Sequence, residues 1–144
     1  MYVFKFGGAS VKSAEAVKNI AKILQGYKEN IVVVVSAMGK STNSLERIVE
    51  HYTANDQSSL KKEFQQLKKY HFNILDGLFT DREHPVFNEL HNLMNELAER
   101  LAKPATLNYD FDYDQIVSFG EILSTKIVSH YINSNGSKAC LLYT

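Results

Sequence analysis

The 144-residue sequence has one cysteine, no excess of either charge and no long apolar run. A single thiol, Cys140, excludes an internal disulfide and most cysteine metal sites. It lies in the apolar run Ala139 to Tyr143, which suits a buried structural thiol better than a nucleophile. Sixteen Lys and Arg balance sixteen Asp and Glu, and the basic residues are scattered rather than striped. Neither feature favours nucleic acid or an anionic membrane as a partner. No segment approaches the roughly 20 apolar residues of a membrane span. Nor does the chain open with a basic start, an apolar core and a small-residue cleavage site. The expectation is a cytoplasmic protein. Repeats and low-complexity tracts are absent too, and the hydrophobic (44%) and charged (22%) fractions are ordinary for a globular domain.

What the chain does have is concentrated at its start, in Tyr2-Val3-Phe4-Lys5-Phe6-Gly7-Gly8-Ala9-Ser10. Val3 to Phe6 reads as a buried strand running into a two-glycine turn, followed by an amphipathic helix. Backbone amides at such a turn, together with a helix dipole, favour an anion. Lys5 strengthens this reading. An ammonium between Phe4 and Phe6 in a buried strand is costly without an anionic partner, and phosphate is one. The competing account is a lysine that snorkels from an edge strand.

From Ser13 helical spacing takes over, with Val17, Ile20, Ala21, Leu24 and Tyr27 on one stripe. Ser13 is the expected N-cap, and Glu15 suits the first turn. Ile31 to Val35 is five β-branched residues, the pattern of a strand buried on both faces of a parallel sheet. Strand, helix and strand at this spacing make a βαβ unit, so the class is α/β. The turn Ser36-Ala37-Met38-Gly39-Lys40-Ser41-Thr42-Asn43 follows the second strand, and Asn43 with Glu46 resembles a capping box for the next helix. Ligands of open α/β sheets lie beyond the carboxyl ends of strands. The two turns should therefore line one crevice.

The middle of the chain reads as two helices, one carrying Leu60, Phe64, Leu67, His71, Ile74, Leu75 and Leu78. The other starts at Pro85 and carries Phe87, Leu90, Leu93, Met94, Leu97 and Leu101. They are expected to form an antiparallel hairpin, an insertion around 57–103 whose helices cover one another. Thr106 to Tyr113 reads as irregular, and 114–133 as one long helix stopped at Gly136. Lys138 to Tyr143 would be a further buried strand, turning towards the crevice at Thr144.

Three other patterns suggest chemistry. Gly39-Lys40-Ser41-Thr42 looks like the end of a P-loop, but the first glycine of that motif would fall on Val34, inside a strand. What remains is a capped strand-to-helix turn, or a polar pocket in which Ser36, Ser41 and Thr42 offer hydroxyls to a small carboxylate. Asp110, Asp112, Asp114 and Glu121 match four positions of a calcium loop, yet Gln115 stands where its glycine is needed. An acidic connection capping a helix is the simpler account. Glu121, in Ser118-Phe119-Gly120-Glu121, sits among apolar residues and should be paired, for which a ligand ammonium would serve; the competing account is a surface carboxylate. The five histidines have no metal spacing, and His71 and His91 suit core or surface positions.

Three of these segments together resemble the amino-acid kinase family, in its aspartokinase branch. They are Lys5-Phe6-Gly7-Gly8-Ala9-Ser10, Ser36 to Asn43, and Ser118 to Glu121. The first is shared across the family, and the other two are more specific to aspartokinases. The resemblance implies a three-layer αβα sandwich with a mainly parallel central sheet, of which residues 1–144 form an incomplete N-terminal portion. It implies phosphoryl transfer from ATP, as MgATP, to the β-carboxylate of L-aspartate, the first committed step towards lysine, threonine and methionine. Lys5 would stabilise the transferring phosphoryl group, and Phe6, Gly7, Gly8 and Ser10 would form the phosphate-binding segment. Ser36, Thr42 and Glu121 would face aspartate, Thr42 towards a carboxylate and Glu121 towards the α-ammonium. No residue is implied to bind metal directly, and the parent enzyme would be a homodimer.

Nothing matches the family's later aspartate-binding arginine, its second phosphate-contacting lysine, its adenine-binding and acidic segments or its regulatory ACT domains. Ala9 and Ser41 stand where threonine is common. The 144 residues alone are expected to be inactive. The alternatives are another member of the same family, acting on N-acetylglutamate, glutamate or a nucleotide monophosphate, or a non-catalytic module for an anion or amino acid.

Overall fold

A computed structural model describes residues 1–142. Its elements are β1 (Tyr2–Phe6), a 3-10 turn (Gly8–Val11), α1 (Ala14–Leu24), β2 (Ile31–Val35), α2 (Ser41–Thr53) and α3 (Gln57–Leu78), followed by α4 (Pro85–Leu101), α5 (Tyr109–Val117) and α6 (Phe119–Ser134). The two strands pair in parallel, Tyr2 opposite Ile31 and Phe6 opposite Val35. The α/β class and the βαβ unit are as expected. Ser13 caps α1 by accepting from the Ala16 N–H at 3.2 Å, and Glu15 lies in the first turn.

The sheet is covered on one face. Phe4, Phe6, Ile31, Val33 and Val35 share a face and pack on the core. Val3, Lys5 and Val34 share the other, where Val3 is 67% and Val34 46% exposed. The expectations of a buried first strand and of a second strand buried on both faces are therefore corrected: the described residues supply the sheet and one helical layer.

Two apolar clusters fill that layer. One joins the sheet to α1, α6, the C-terminal half of α3 and the N-terminal half of α4, through Val17, Ile20, Ile74, Leu75, Leu90 and Leu123. The other joins α2 to α5 and to the opposite halves of α3 and α4, through Leu45, Ile48, Leu67, Leu97 and Ile116. The expected hairpin is thus not a self-covering insertion. α3 packs chiefly on α2 and α1, and α4 packs chiefly on α6. The apolar stripes of both helices are wide enough to enter the shared core, which buries more surface than pairing with each other.

Three boundaries differ from expectation. α2 begins at Ser41 rather than after Asn43, because the buried Ser41 hydroxyl donates to the Met38 carbonyl at 2.6 Å and closes the turn there. The long helix is two, since Ser118 interrupts it and Asn108 caps α5 by accepting from the Phe111 N–H. Residues 138–142 form no strand; the Asn133 side chain instead bonds both the N–H and the carbonyl of Ala139, each at 2.9 Å. Cys140 is exposed there, not buried. Tyr143 and Thr144, the rest of the expected strand and its turn, lie outside the described residues.

The calcium-loop alternative fails on the same ground. Asp110, Asp112 and Asp114 are helical, and buried Asp112 is already engaged. It accepts from Arg100 at 2.7 Å and from the Thr106 N–H and hydroxyl at 2.8 and 3.0 Å. Breaking such a pair from one side typically costs about 3–5 kcal/mol. Among the described residues, no helix is long and apolar enough to cross a membrane.

His71, like Asp112 and Ser124, is a polar residue with no exposed surface. Its Nδ1 lies 2.8 Å from the Leu67 carbonyl and must donate to it, which leaves Nε2 unprotonated and in contact, at 3.4 Å, with the Ser41 Oγ, whose own proton goes to the Met38 carbonyl. Burial of the ring pushes its pKa from 6.5 down to about 4. A base held neutral in the fold but free to protonate when unfolded removes stability as pH falls between those two values. The slope from this one group is about 1.4 kcal/mol per pH unit. Urea unfolding from pH 7 to 4.5 should show that share in the wild type and lose it in His71→Gln. Equal slopes in the two proteins would contradict the assignment.

Candidate active site

Both turns singled out in the sequence leave the C-terminal ends of adjacent parallel strands, and the backbone joins them. The Ser36 N–H donates to the Phe6 carbonyl at 3.0 Å, continuing the ladder one residue past β2. Two residues beyond β1, the Gly8 carbonyl accepts from the Gly39 N–H, also at 3.0 Å. Within the first turn the Ser10 N–H donates to the Gly7 carbonyl at 2.8 Å. The turns therefore form a seam rather than two separate loops.

Glycine is required where the seam is tightest. A Cβ on Gly8 would lie 2.9 Å from the carbonyl oxygens of both Ala37 and Gly39. Gly39 has φ +57°, a left-handed conformation, and a Cβ there would collide with the Tyr70 hydroxyl. The third segment arrives by the same device. A Cβ on Gly120 would lie 2.9 Å from that of Ala37 and 3.2 Å from Leu45 Cδ1, so α6 approaches the second turn closely. Glu121 and Ser36 are each one residue from that contact.

The side chains have these places. Lys5 is exposed on the open face of the sheet, opposite Val34, and makes no ion pair among the described residues. Contrary to expectation, Lys5 is not a buried cation in need of a partner, because the apolar run is covered on one side only. Phe6 and Gly8 are half-buried, while Gly7 and Ser10 are exposed. Ser36 and Thr42 are half-buried. Thr42 is the second residue of α2, whose N-cap, Lys40, offers no side-chain cap. The Ser41 N–H donates to the Met38 carbonyl at 3.0 Å, which leaves the Thr42 and Asn43 amides of the first turn open to an acceptor from outside the helix. Glu121, expected to be paired, is exposed in the first turn of α6, and its carboxylate has no partner among the described residues. Solvent satisfies it, and the pairing argument does not apply.

A cavity of about 420 Å³ opens on another side of the second turn, between α2 and α3. Lys12, Lys40, Ser44, Gln66 and Tyr70 line it, and none of Lys5, Ser36, Thr42 and Glu121 does. Tyr70 had no signal in the sequence beyond its place beside a helical stripe. No group of three or more His, Cys, Asp or Glu suited to a metal occurs among the described residues.

Comparison with known proteins decides the family. The model of the amino acid kinase family matches residues 1–144, the whole sequence. The chain belongs to the amino acid kinase family. Within it, the chain is 38% identical over 144 residues to chloroplastic aspartokinase 1 of Arabidopsis thaliana, a match covering 95% of this chain and 24% of the relative. It is 29% identical to the bifunctional aspartokinase/homoserine dehydrogenase 2 of Escherichia coli, covering 96% of this chain and 17% of that one. The chain thus spans about a quarter or less of these relatives. Among solved structures, E. coli aspartokinase III with lysine and aspartate superposes with a TM-score of 0.84 at 23% identity, covering 96% of this chain and 30% of that one. The same enzyme with aspartate and ADP gives 0.80 at 24% identity, covering 94% and 29%. At these identities the likeness is one of fold, and this chain shares that fold.

The two glycines of the first turn should respond differently to substitution. Gly7 has φ −72° and ψ 173°, open to any residue, and a Cβ there would meet nothing within 4 Å. Gly8→Ala is expected to cost about 1–3 kcal/mol by forcing the seam apart. Gly7→Ala should stay within about 0.5 kcal/mol of the wild type. Thermal unfolding of both variants checks this, and an equal loss in the two would count against the seam.

Proposed function

We propose that this chain is the N-terminal part of the catalytic domain of an ATP-dependent aspartokinase, transferring the γ-phosphoryl group of ATP to the β-carboxylate of L-aspartate. The observation that carries the reading is the seam, where three short segments with different chemistry meet. One offers a cation and glycine amides, one an uncapped helix N-terminus with hydroxyls, and one an unpaired carboxylate. That is what a phosphate donor and an amino-acid acceptor require in one place. The relatives support it, since E. coli aspartokinase III has been solved with both aspartate and ADP.

In this reading Lys5 neutralises charge on the transferring phosphoryl group. The backbone of Phe6, Gly7 and Gly8, with Ser10, holds phosphate oxygens. Thr42 and the first turn of α2 take a carboxylate of aspartate, Ser36 adds a hydroxyl, and Glu121 takes the α-ammonium. Phosphoryl transfer asks little covalent chemistry of protein, so positioning and charge neutralisation carry the rate. Mg²⁺ enters with ATP and is held through phosphate oxygens and water, a mode that needs few protein ligands. The product would feed the synthesis of lysine, threonine and methionine, and the full-length protein would act as a cytoplasmic homodimer.

The test is aspartyl phosphate formation, trapped with hydroxylamine, by the full-length protein that contains this chain. Lys5→Ala should lower kcat by about 100-fold or more. Glu121→Ala should raise the KM for aspartate about tenfold or more while kcat changes little. Unchanged aspartate saturation in the Glu121 variant, or better turnover of N-acetylglutamate than of aspartate, would refute the substrate assignment.

A further inference from the structure

Both turns of the seam are irregular, and beyond the strand ladder a single backbone hydrogen bond joins them directly. Their separation needs a second support, and α3 provides it through two consecutive residues. The Tyr70 hydroxyl donates to the Lys12 carbonyl at 2.6 Å, where the 3-10 turn after Gly8 ends. The same hydroxyl occupies the space a side chain at position 39 would need. One oxygen thus touches the end of the first turn and the middle of the second. The next residue, His71, points into the core, held by the Leu67 carbonyl at 2.8 Å, and its ring packs against Ser41 with Nε2 3.4 Å from an Oγ whose proton goes to the Met38 carbonyl. Ser41 closes the second turn and directly precedes Thr42.

α3 is well placed to act as a fixed support. Further along it, Gly77 lies so close to Ala14, the first residue of α1, that a Cβ on it would come within 2.6 Å of the Ala14 Cβ. Leu67, Ile74 and Leu75 of the same helix are buried in the two apolar clusters. A helix seated on α1, α2 and the core moves as one body with them.

We infer that Tyr70 and His71 are positioning residues that set the distance between the phosphate-handling and acceptor-handling turns. The inference rests on the phosphotransferase reading for its kinetic consequence, but not for its structural one. Neither residue belongs to the segments that would touch substrate, so each acts through the turns. Transfer demands reacting atoms about 3–3.5 Å apart, and a misplacement of about 1 Å can cost 100-fold in rate. Each substrate is held mainly by its own turn, so a changed separation should leave both affinities intact and reduce the chemical step.

The decisive variant is Tyr70→Phe, which keeps the ring and removes the hydroxyl, with His71→Gln as the second. Two readouts are needed on the full-length protein. In steady-state kinetics, kcat should fall about tenfold or more in Tyr70→Phe, with KM for ATP and aspartate within about threefold of wild type. In hydrogen exchange without substrates, peptides covering 7–13 and 36–43 should exchange faster, with α1 and α6 unchanged. A rise in either KM with kcat preserved would overturn the inference by making Tyr70 a binding residue. Wild-type exchange at both turns would overturn it as well. If the wild-type protein lacks aspartate-dependent turnover, the aspartokinase reading fails while the exchange result still decides the support.

Discussion

The hydrogen bond from the Gly39 N–H to the Gly8 carbonyl is the contact on which the site depends. It needs two backbones to approach more closely than side chains allow, and the sequence meets that need with glycine on both sides. Once it forms, the positions of Lys5, Thr42 and the 3-10 turn are no longer independent. Parallel strands bring the turns to the same end of the sheet, and this bond fixes how far apart they lie. α6 then adds its first turn by packing Gly120 on Ala37 and Leu45. A hydrogen bond of this kind contributes only about 1 kcal/mol net to stability. Its importance here is geometric.

Electrostatics explain why the candidate side chains are exposed. Lys5 and Glu121 both face solvent, where a single charge exerts little force on a ligand. Covering the open sheet face beside Val3 and Val34, by substrate or by further protein, would lower the local dielectric and strengthen the interactions of Lys5. The fold keeps these charges hydrated until then, which avoids the cost of burying them unpaired. Two buried polar groups, Asp112 and His71, behave in the opposite way. Asp112 is saturated by Arg100 and Thr106, and His71 is held neutral, so neither disturbs the core.

Much of this was legible in the residues because it rests on periodicity and local chemistry. The five β-branched residues of β2, the Ser13 cap and the stripes of α3 and α4 each have a local cause. The convergence of the two turns followed from parallel pairing alone. What was not legible depends on tertiary surroundings. An apolar run such as Val3 to Phe6 looks the same whether one face of its sheet is covered or both, so the exposure of Lys5 was hidden. Asn43 and Glu46 imitate a capping box, but Ser41 turns its hydroxyl back to Met38 and starts α2 earlier. The apolar stripe runs through Ser118 without a phase change large enough to reveal the break. Tyr70 and His71 looked like any helix residues, since what they hold is distant in sequence.

The central claim is that the seam divides the site into a phosphate side and an amino-acid side. The most direct measurement is a crystal structure of the full-length protein with aspartate and a non-hydrolysable ATP analogue. The account predicts the phosphates against Gly7, Gly8 and Lys5, with aspartate between Thr42 and Glu121. Phosphates or aspartate seated in the cavity between α2 and α3, against Lys12, Lys40 and Tyr70, would contradict it.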